Sequence, residues 1–76
     1  MERLTTVELN QTELRMVTWL LYGHAESRYE MASGNWASPT PEQAEKWYAD
    51  SRRAERVIRK LDPEGKVGER YHRWYG

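Results

Sequence analysis

Two short patterns in this 76-residue chain have the spacing to hold a metal or move a proton. His24-Ala25-Glu26 has the H-x-E spacing of zinc deaminases, and Glu69-x-x-His72 has the i, i+3 spacing of carboxylate-bridged di-metal bundles. Neither is complete. The deaminase pattern needs a P-C-x-x-C partner, and the chain has no cysteine. The di-metal pattern needs a second copy and further carboxylates. Gly65-Lys66-Val67-Gly68 lacks both the spacing and the Ser/Thr of a phosphate-binding loop. The two histidines sit in no serine-hydrolase pattern. His24 is therefore expected as a partly buried hydrogen-bonding side chain and His72 as an ordinary residue of the tail. No enzymatic activity, metal or cofactor is expected.

Recognition chemistry is better represented. The nine aromatic residues are four Trp and five Tyr, with no Phe, and nine of the twelve basic residues are Arg. Trp, Tyr and Arg are the types that dominate binding hot spots. The same bias also fits GC-rich coding, as in a phage or actinobacterial gene. Arg52, Arg53, Arg56, Arg59 and Lys60 fall on one side of the helical stretch from Asp50 to Leu61, in which the acids are Asp50 and Glu55. Like charges at Arg52/Arg56 and Arg56/Lys60 mildly oppose helix formation, so this face suits a phosphate or an acidic partner. Trp19 falls off the apolar stripe of its helix, and Trp36 lies in a connection between helices. Tyr71, Trp74 and Tyr75 share one side of a short tail helix, next to Arg70, His72 and Arg73. These five aromatic residues are the candidate protein-binding anchors, and the five basic residues are the candidate charge-recognition set for protein or nucleic acid.

Composition limits what else the chain can be. Seventy-six residues make one small domain, 1–76, which buries only about 60% of the surface its unfolded chain exposes. Without cysteine, stability must come from helix packing or from oligomerisation. Mean hydropathy is −1.02 and the formal net charge is zero, so no global field draws the chain to nucleic acid or membrane. No apolar run approaches ~20 residues, and no signal-peptide pattern opens the sequence. The expectation is a cytoplasmic protein with no membrane association.

The elements that must position these residues begin at two helix-start signals. Leu9-Asn10-Gln11-Thr12-Glu13-Leu14 offers Asn10 as cap, Glu13 to reach back, and Leu9 and Leu14 as a hydrophobic staple. Ser38-Pro39-Thr40-Pro41-Glu42-Gln43 offers Thr40 as cap, Pro41 in the first helical position, and Gln43 to complete the box. Residues 1–9 read as a short lead-in. The periodicity predicts helices over 11–33, ended by Gly34, and over 41–61, ended by an Asp62-Pro63-Glu64-Gly65 turn. The predicted core faces are Leu14, Val17, Leu21, His24, Ala25, Met31 and Ala32 on the first helix. On the second they are Ala44, Trp47, Ser51, Ala54, Val57, Ile58 and Leu61. Arg28 falls inside the first stripe and needs a carboxylate or an aromatic face to receive it.

The fold expected is all-α: an antiparallel two-helix hairpin, 11–33 and 41–61, closed by a short C-terminal helix or by dimerisation. The function expected is a non-catalytic protein-binding module, such as a small phage-type inhibitor or adaptor that occludes the surface of a larger assembly. The alternative is nucleic-acid binding through the arginine face of the second helix. A second alternative is a structural subunit of a homo-oligomer. Expected partners are another protein or a second copy of the chain, with nucleic acid as the rival.

Overall fold

A computed structural model describes residues 3–35 and 38–75. Among these residues the chain is all-helical: α1 (Gln11–Ala32), α2 (Pro41–Leu61) and α3 (Lys66–Tyr75). Residues 3–10 precede α1 as exposed chain without regular structure. No described helix is long and apolar enough to cross a membrane.

Both start signals form reciprocal capping boxes. The Asn10 side chain accepts from the Glu13 N–H at 2.8 Å, and Glu13 accepts from the Asn10 N–H at 3.0 Å. Thr40 and Gln43 do the same at 3.2 and 3.1 Å. Each box satisfies donors that a helix start leaves without partners. α1 stops at Ala32, one residue before the predicted end, with Ser33 as its C-cap. Gly34 then takes φ 85°, and its N–H reaches Met31 O while that of Asn35 reaches Glu30 O. This paired closure needs a left-handed residue at the first position beyond the cap, which glycine adopts without steric cost.

α1 and α2 meet along a seam in which small residues predominate. Thr18, Ala25 and Ala32 are buried on α1, and Ser51, Ala54 and Ile58 on α2. The α1 set recurs every seven residues, and Leu14, Leu21 and Arg28 recur beside it four positions earlier, the alternation of a two-stranded helical seam. Contacts run in opposite senses along the two helices. Tyr22 reaches Asp62, the buried Ser51 hydroxyl donates to Ala25 O at 2.8 Å, and Ser33 meets Tyr48 at 3.2 Å.

The seam differs from the predicted stripe. Thr18, which hydropathy had left out, is only 1% exposed and donates its hydroxyl to Leu14 O at 2.7 Å. Val17, His24 and Val57 are exposed. Small side chains let the helices approach closely and rotate the larger neighbours outward. Hydropathy ranks residues by polarity, whereas this seam selects them by size.

α3 packs on α1. Its position is set by Asp62, which is 9% exposed at the C-cap of α2. The carboxylate accepts from the Val67 N–H at 3.2 Å and the Gly68 N–H at 3.0 Å, the otherwise unpartnered donors of the first turn of α3. It also accepts from the Tyr22 hydroxyl of α1 at 2.7 Å. One side chain thus ties the end of α2, the start of α3 and the middle of α1. The predicted turn supplies the path, since the Gly65 N–H bonds Asp62 O at 3.0 Å and Gly65 takes φ 71°. Gly68 is buried directly under the Tyr22 ring, and a Cβ there would stand 2.6 Å from Tyr22 Cζ.

Protonation of this knot depends on its surroundings. The Tyr22 hydroxyl is pushed up from 10.0 to about 12 by burial first, then by the hydrogen bond and charge of Asp62, with the Gly68 N–H opposing. Burial pushes the Asp62 carboxyl up. The Tyr22 hydroxyl and the Gly68, Val67 and Lys66 N–H groups outweigh that and leave it below 3.8.

Gly68→Ala should destabilise the protein by about 1–3 kcal/mol through overpacking against Tyr22, read as a lowered thermal midpoint by circular dichroism. Stability should also fall at both pH extremes. The contribution of Tyr22 is complete below pH 10, its unfolded value, and is lost as pH rises towards about 12. That of Asp62 is complete above its unfolded value near 3.8 and is lost as pH falls through its lower folded value. Denaturant titrations across pH should show both limbs, with Tyr22→Phe reducing the alkaline one.

Candidate interaction surface

Because Asp62 starts α3 over the middle of α1, the tail aromatics meet the aromatic residues of α1. Tyr71 is buried, with its ring centroid 5.2 Å from Trp19 in an edge-to-face contact and 5.7 Å from Tyr22 in a stacked one. Its hydroxyl oxygen comes within 3.5 Å of where a Cβ on Gly23 would stand. Tyr75 lies 4.8 Å from Tyr71 and 6.1 Å from Trp19, centroid to centroid. These offset and edge-on arrangements are the ones ring quadrupoles favour. Burial pushes the Tyr71 hydroxyl above 10.0, helped by the nearby Glu26 charge.

Five aromatic residues were candidate anchors, and the described structure separates four of them. Tyr71 is a core side chain that holds α3 to α1. Trp19 is half-buried beneath Tyr71 and Tyr75, so only part of its indole can meet a partner. Trp74 and Tyr75 remain accessible at 80% and 69% exposure. Trp36 lies outside the described residues.

Aliphatic side chains outside the five candidate anchors are exposed on α1, Val17 of the predicted core face among them. Met16, Val17 and Leu20 are all accessible, with Leu20 at 66%. Met16 and Leu20 lie one turn apart, on the side opposite the Thr18–Ala25 seam. Tyr71 stands over Gly23 and Tyr75 approaches Trp19, so the last turn of α3 arrives beside this edge of α1. A clue was present in the sequence: Met16, Leu20, Gly23 and Ser27 repeat at spacings of four, three and four.

The basic set is separate. Arg52, Arg53, Arg56, Arg59 and Lys60 are all exposed along α2, and Arg53, Arg56, Arg59 and Lys60 rim one open notch. Between this face and α3 lies an open cleft of about 580 Å³. Its floor includes Ala25 and Ile58, and its rim carries Glu26, Glu30, Glu55, Arg59 and His72. His72 Nδ1 stands 3.3 Å from Glu26 there. No protein family, curated protein or solved structure matches the chain.

The remaining candidate side chains take structural contacts. His24 Nε2 lies 2.8 Å from Asp50 Oδ2, and Arg28 Nε lies 3.1 Å from the same oxygen. Asp50 of α2 is thus the carboxylate that receives Arg28. His24 is exposed instead of partly buried, and its neighbour Glu26 turns towards α3. Glu69 pairs with Arg73 at 3.3 Å instead of with His72. Among the described residues, no group of three or more His, Asp or Glu could hold a metal ion.

The division between bracing and exposed aromatics is measurable. Tyr71→Ala should cost about 3–5 kcal/mol, as truncation of a buried aromatic residue does. Trp74→Ala should change stability by no more than about 0.5 kcal/mol. Chemical denaturation of the two variants checks both values.

Proposed function

We propose that the chain is a non-catalytic protein-binding module, an antiparallel helical hairpin closed by its C-terminal helix. It acts as a small inhibitor or adaptor by occluding part of a larger assembly. The observation that carries this reading is the exposure of Trp74 and Tyr75 on a helix held in place through Asp62 and Tyr71. Large rings left in water are costly. On a braced helix they lose little entropy when a partner covers them, which is the condition for a hot spot. Met16 and Leu20 extend the apolar contact, and Trp19 forms part of its base.

The arginine face of α2 supports a second reading, nucleic-acid binding. Five exposed cations along one helix would bind phosphates with an affinity that falls steeply as salt rises.

Affinity capture from the native host separates the two. Trp74→Ala/Tyr75→Ala should weaken binding of the captured protein by about thirtyfold or more, the loss of a hot spot. Arg52→Glu/Arg56→Glu should leave it within about threefold, as rim charges do. If the charge-reversed variant loses its partner and the aromatic variant keeps it, recognition lies on the α2 face.

A further inference from the structure

We infer that the open cleft between α1, α2 and α3 receives a basic side chain of a partner protein, an arginine with an aliphatic neighbour. This rests on the protein-binding reading and names the partner's chemistry at a second contact. Trp74 follows His72 by two positions and so lies on nearly the opposite side of α3, away from the cleft.

The cleft divides into an apolar floor and a charged rim. Ala25 and Ile58 lie at its bottom, each 6% exposed, and the ring of Tyr29, 56% exposed, stands at its side. A volume of about 580 Å³ suits a ligand with an apolar body rather than a lone ion. Glu26 and Glu30 of α1 and Glu55 of α2 set three carboxylates round it, against Arg59 and His72. With His72 neutral, that leaves a local surplus of negative charge in a chain whose net charge is zero.

The fold leaves most of this charge unused. Of the three carboxylates, Glu26 alone has an ion-pair partner among the described residues, His72 at 3.3 Å. Glu30 sits one turn beyond Glu26, a like-charge spacing that mildly opposes the helix. Arg59 is spaced to pair with Glu55 one turn earlier, yet it forms no ion pair among the described residues. Burial first, then the charges of Glu26, Tyr75 and Glu30, push the Tyr71 hydroxyl above 10.0, so the field of the rim reaches the core beside it.

The geometry also selects the kind of cation. Among the described residues no group of three or more His, Asp or Glu could hold a metal ion, so the rim suits a charge spread over a larger group. A guanidinium is planar and delocalised, forks to carboxylates and lies on aromatic faces such as that of Tyr29. Sites for free small molecules enclose most of their ligand, whereas this cleft is open on one side. A side chain presented by another protein needs less enclosure, because the rest of that protein's contact already holds it in place. Its aliphatic neighbour covers Ala25 and Ile58.

An NMR titration of the isotopically labelled chain tests the inference, with the peptide Gly-Leu-Arg-Leu-Gly as probe and its neutral citrulline counterpart as control. The arginine peptide should move the amide signals of Glu26, Glu30, Glu55 and Ile58 at concentrations up to about 5 mM, the range of a single-side-chain contact. The citrulline peptide should bind about fivefold more weakly. Glu30→Gln/Glu55→Gln should weaken the arginine peptide about tenfold. Its helical spectrum should be unchanged, since neither carboxylate has an ion-pair partner in the fold. Arg59→Gln removes the resident cation and should strengthen binding about threefold. Unmoved cleft signals, equal binding of the citrulline peptide, indifference to Glu30→Gln/Glu55→Gln or weaker binding by Arg59→Gln overturns the inference. Phenylethylamine, a free apolar cation, binding as tightly as the peptide overturns the assignment to a partner protein. If the peptide fails while protein capture through Trp74 succeeds, the inference falls alone. If the wild type captures no protein, both readings fall.

Discussion

The position of α3 depends on the carboxylate of Asp62. α3 has only ten residues, too few for an isolated helix to persist in water. Asp62 opposes that instability by accepting N–H groups at the start of the helix, where a negative charge also meets the positive end of the helix dipole. The same carboxylate accepts the Tyr22 hydroxyl, so the start of α3 is tied to α1 as well as to α2. Tyr71 completes the attachment by stacking on Tyr22 and meeting the edge of Trp19. The location of the accessible aromatics depends on this chain of contacts, because it determines where the helix that carries them lies.

The knot also joins polar and apolar terms that are usually treated apart. A carboxylate this deeply buried would carry a large desolvation cost if left alone. Its identified partners come from two other helices: the Tyr22 hydroxyl from α1 and the Val67 and Gly68 N–H groups from α3. The close approach of Tyr22 is possible because Gly68 has no side chain in its path. A hydrogen-bonding requirement at Asp62 thus becomes a packing requirement at Gly68.

Much of the helical framework could be read from the sequence, and the reasons are local. Asn10–Glu13, Thr40–Gln43, Gly34 and the Asp62–Gly65 turn each act within a few residues, so the signal and its effect share one short window. The need of Arg28 for a carboxylate or an aromatic face was also legible, because a cation in an apolar stripe demands a partner whatever the fold. Asp50 was not legible as that partner, since the pairing depends on the register of two helices. The seam escaped for a related reason. Thr18 and Ser51 are polar by hydropathy, yet each can return its hydroxyl to a backbone carbonyl and then behave as a small side chain. Asp62 read as a helix stop, and its larger role across three helices appears only once Tyr22 and Gly68 are brought beside it. Tyr71, Trp74 and Tyr75 formed a single cluster in sequence, and packing on α1 divides them into one bracing ring and two accessible ones.

The seam also accounts for the accessible surface on the other side of the molecule. α1 carries more large apolar residues than one facing helix can cover. If Leu20 and Met16 lined the seam, the helices would stand further apart and α2, whose buried positions are Ser51, Ala54 and Ile58, could not fill the gap. The small Ser51 and Ala54 of α2 therefore match Thr18, Ala25 and Ala32 on α1, while Ile58 clusters with Ala25, Leu21 and Tyr22. That choice turns Met16 and Leu20 towards solvent, and the anchoring of α3 by Asp62 brings Tyr75 near the same edge. Close helix approach on one side and apolar exposure on the other are thus two consequences of one packing choice. A substitution that enlarged the α2 seam, such as Ala54→Leu, would press on both.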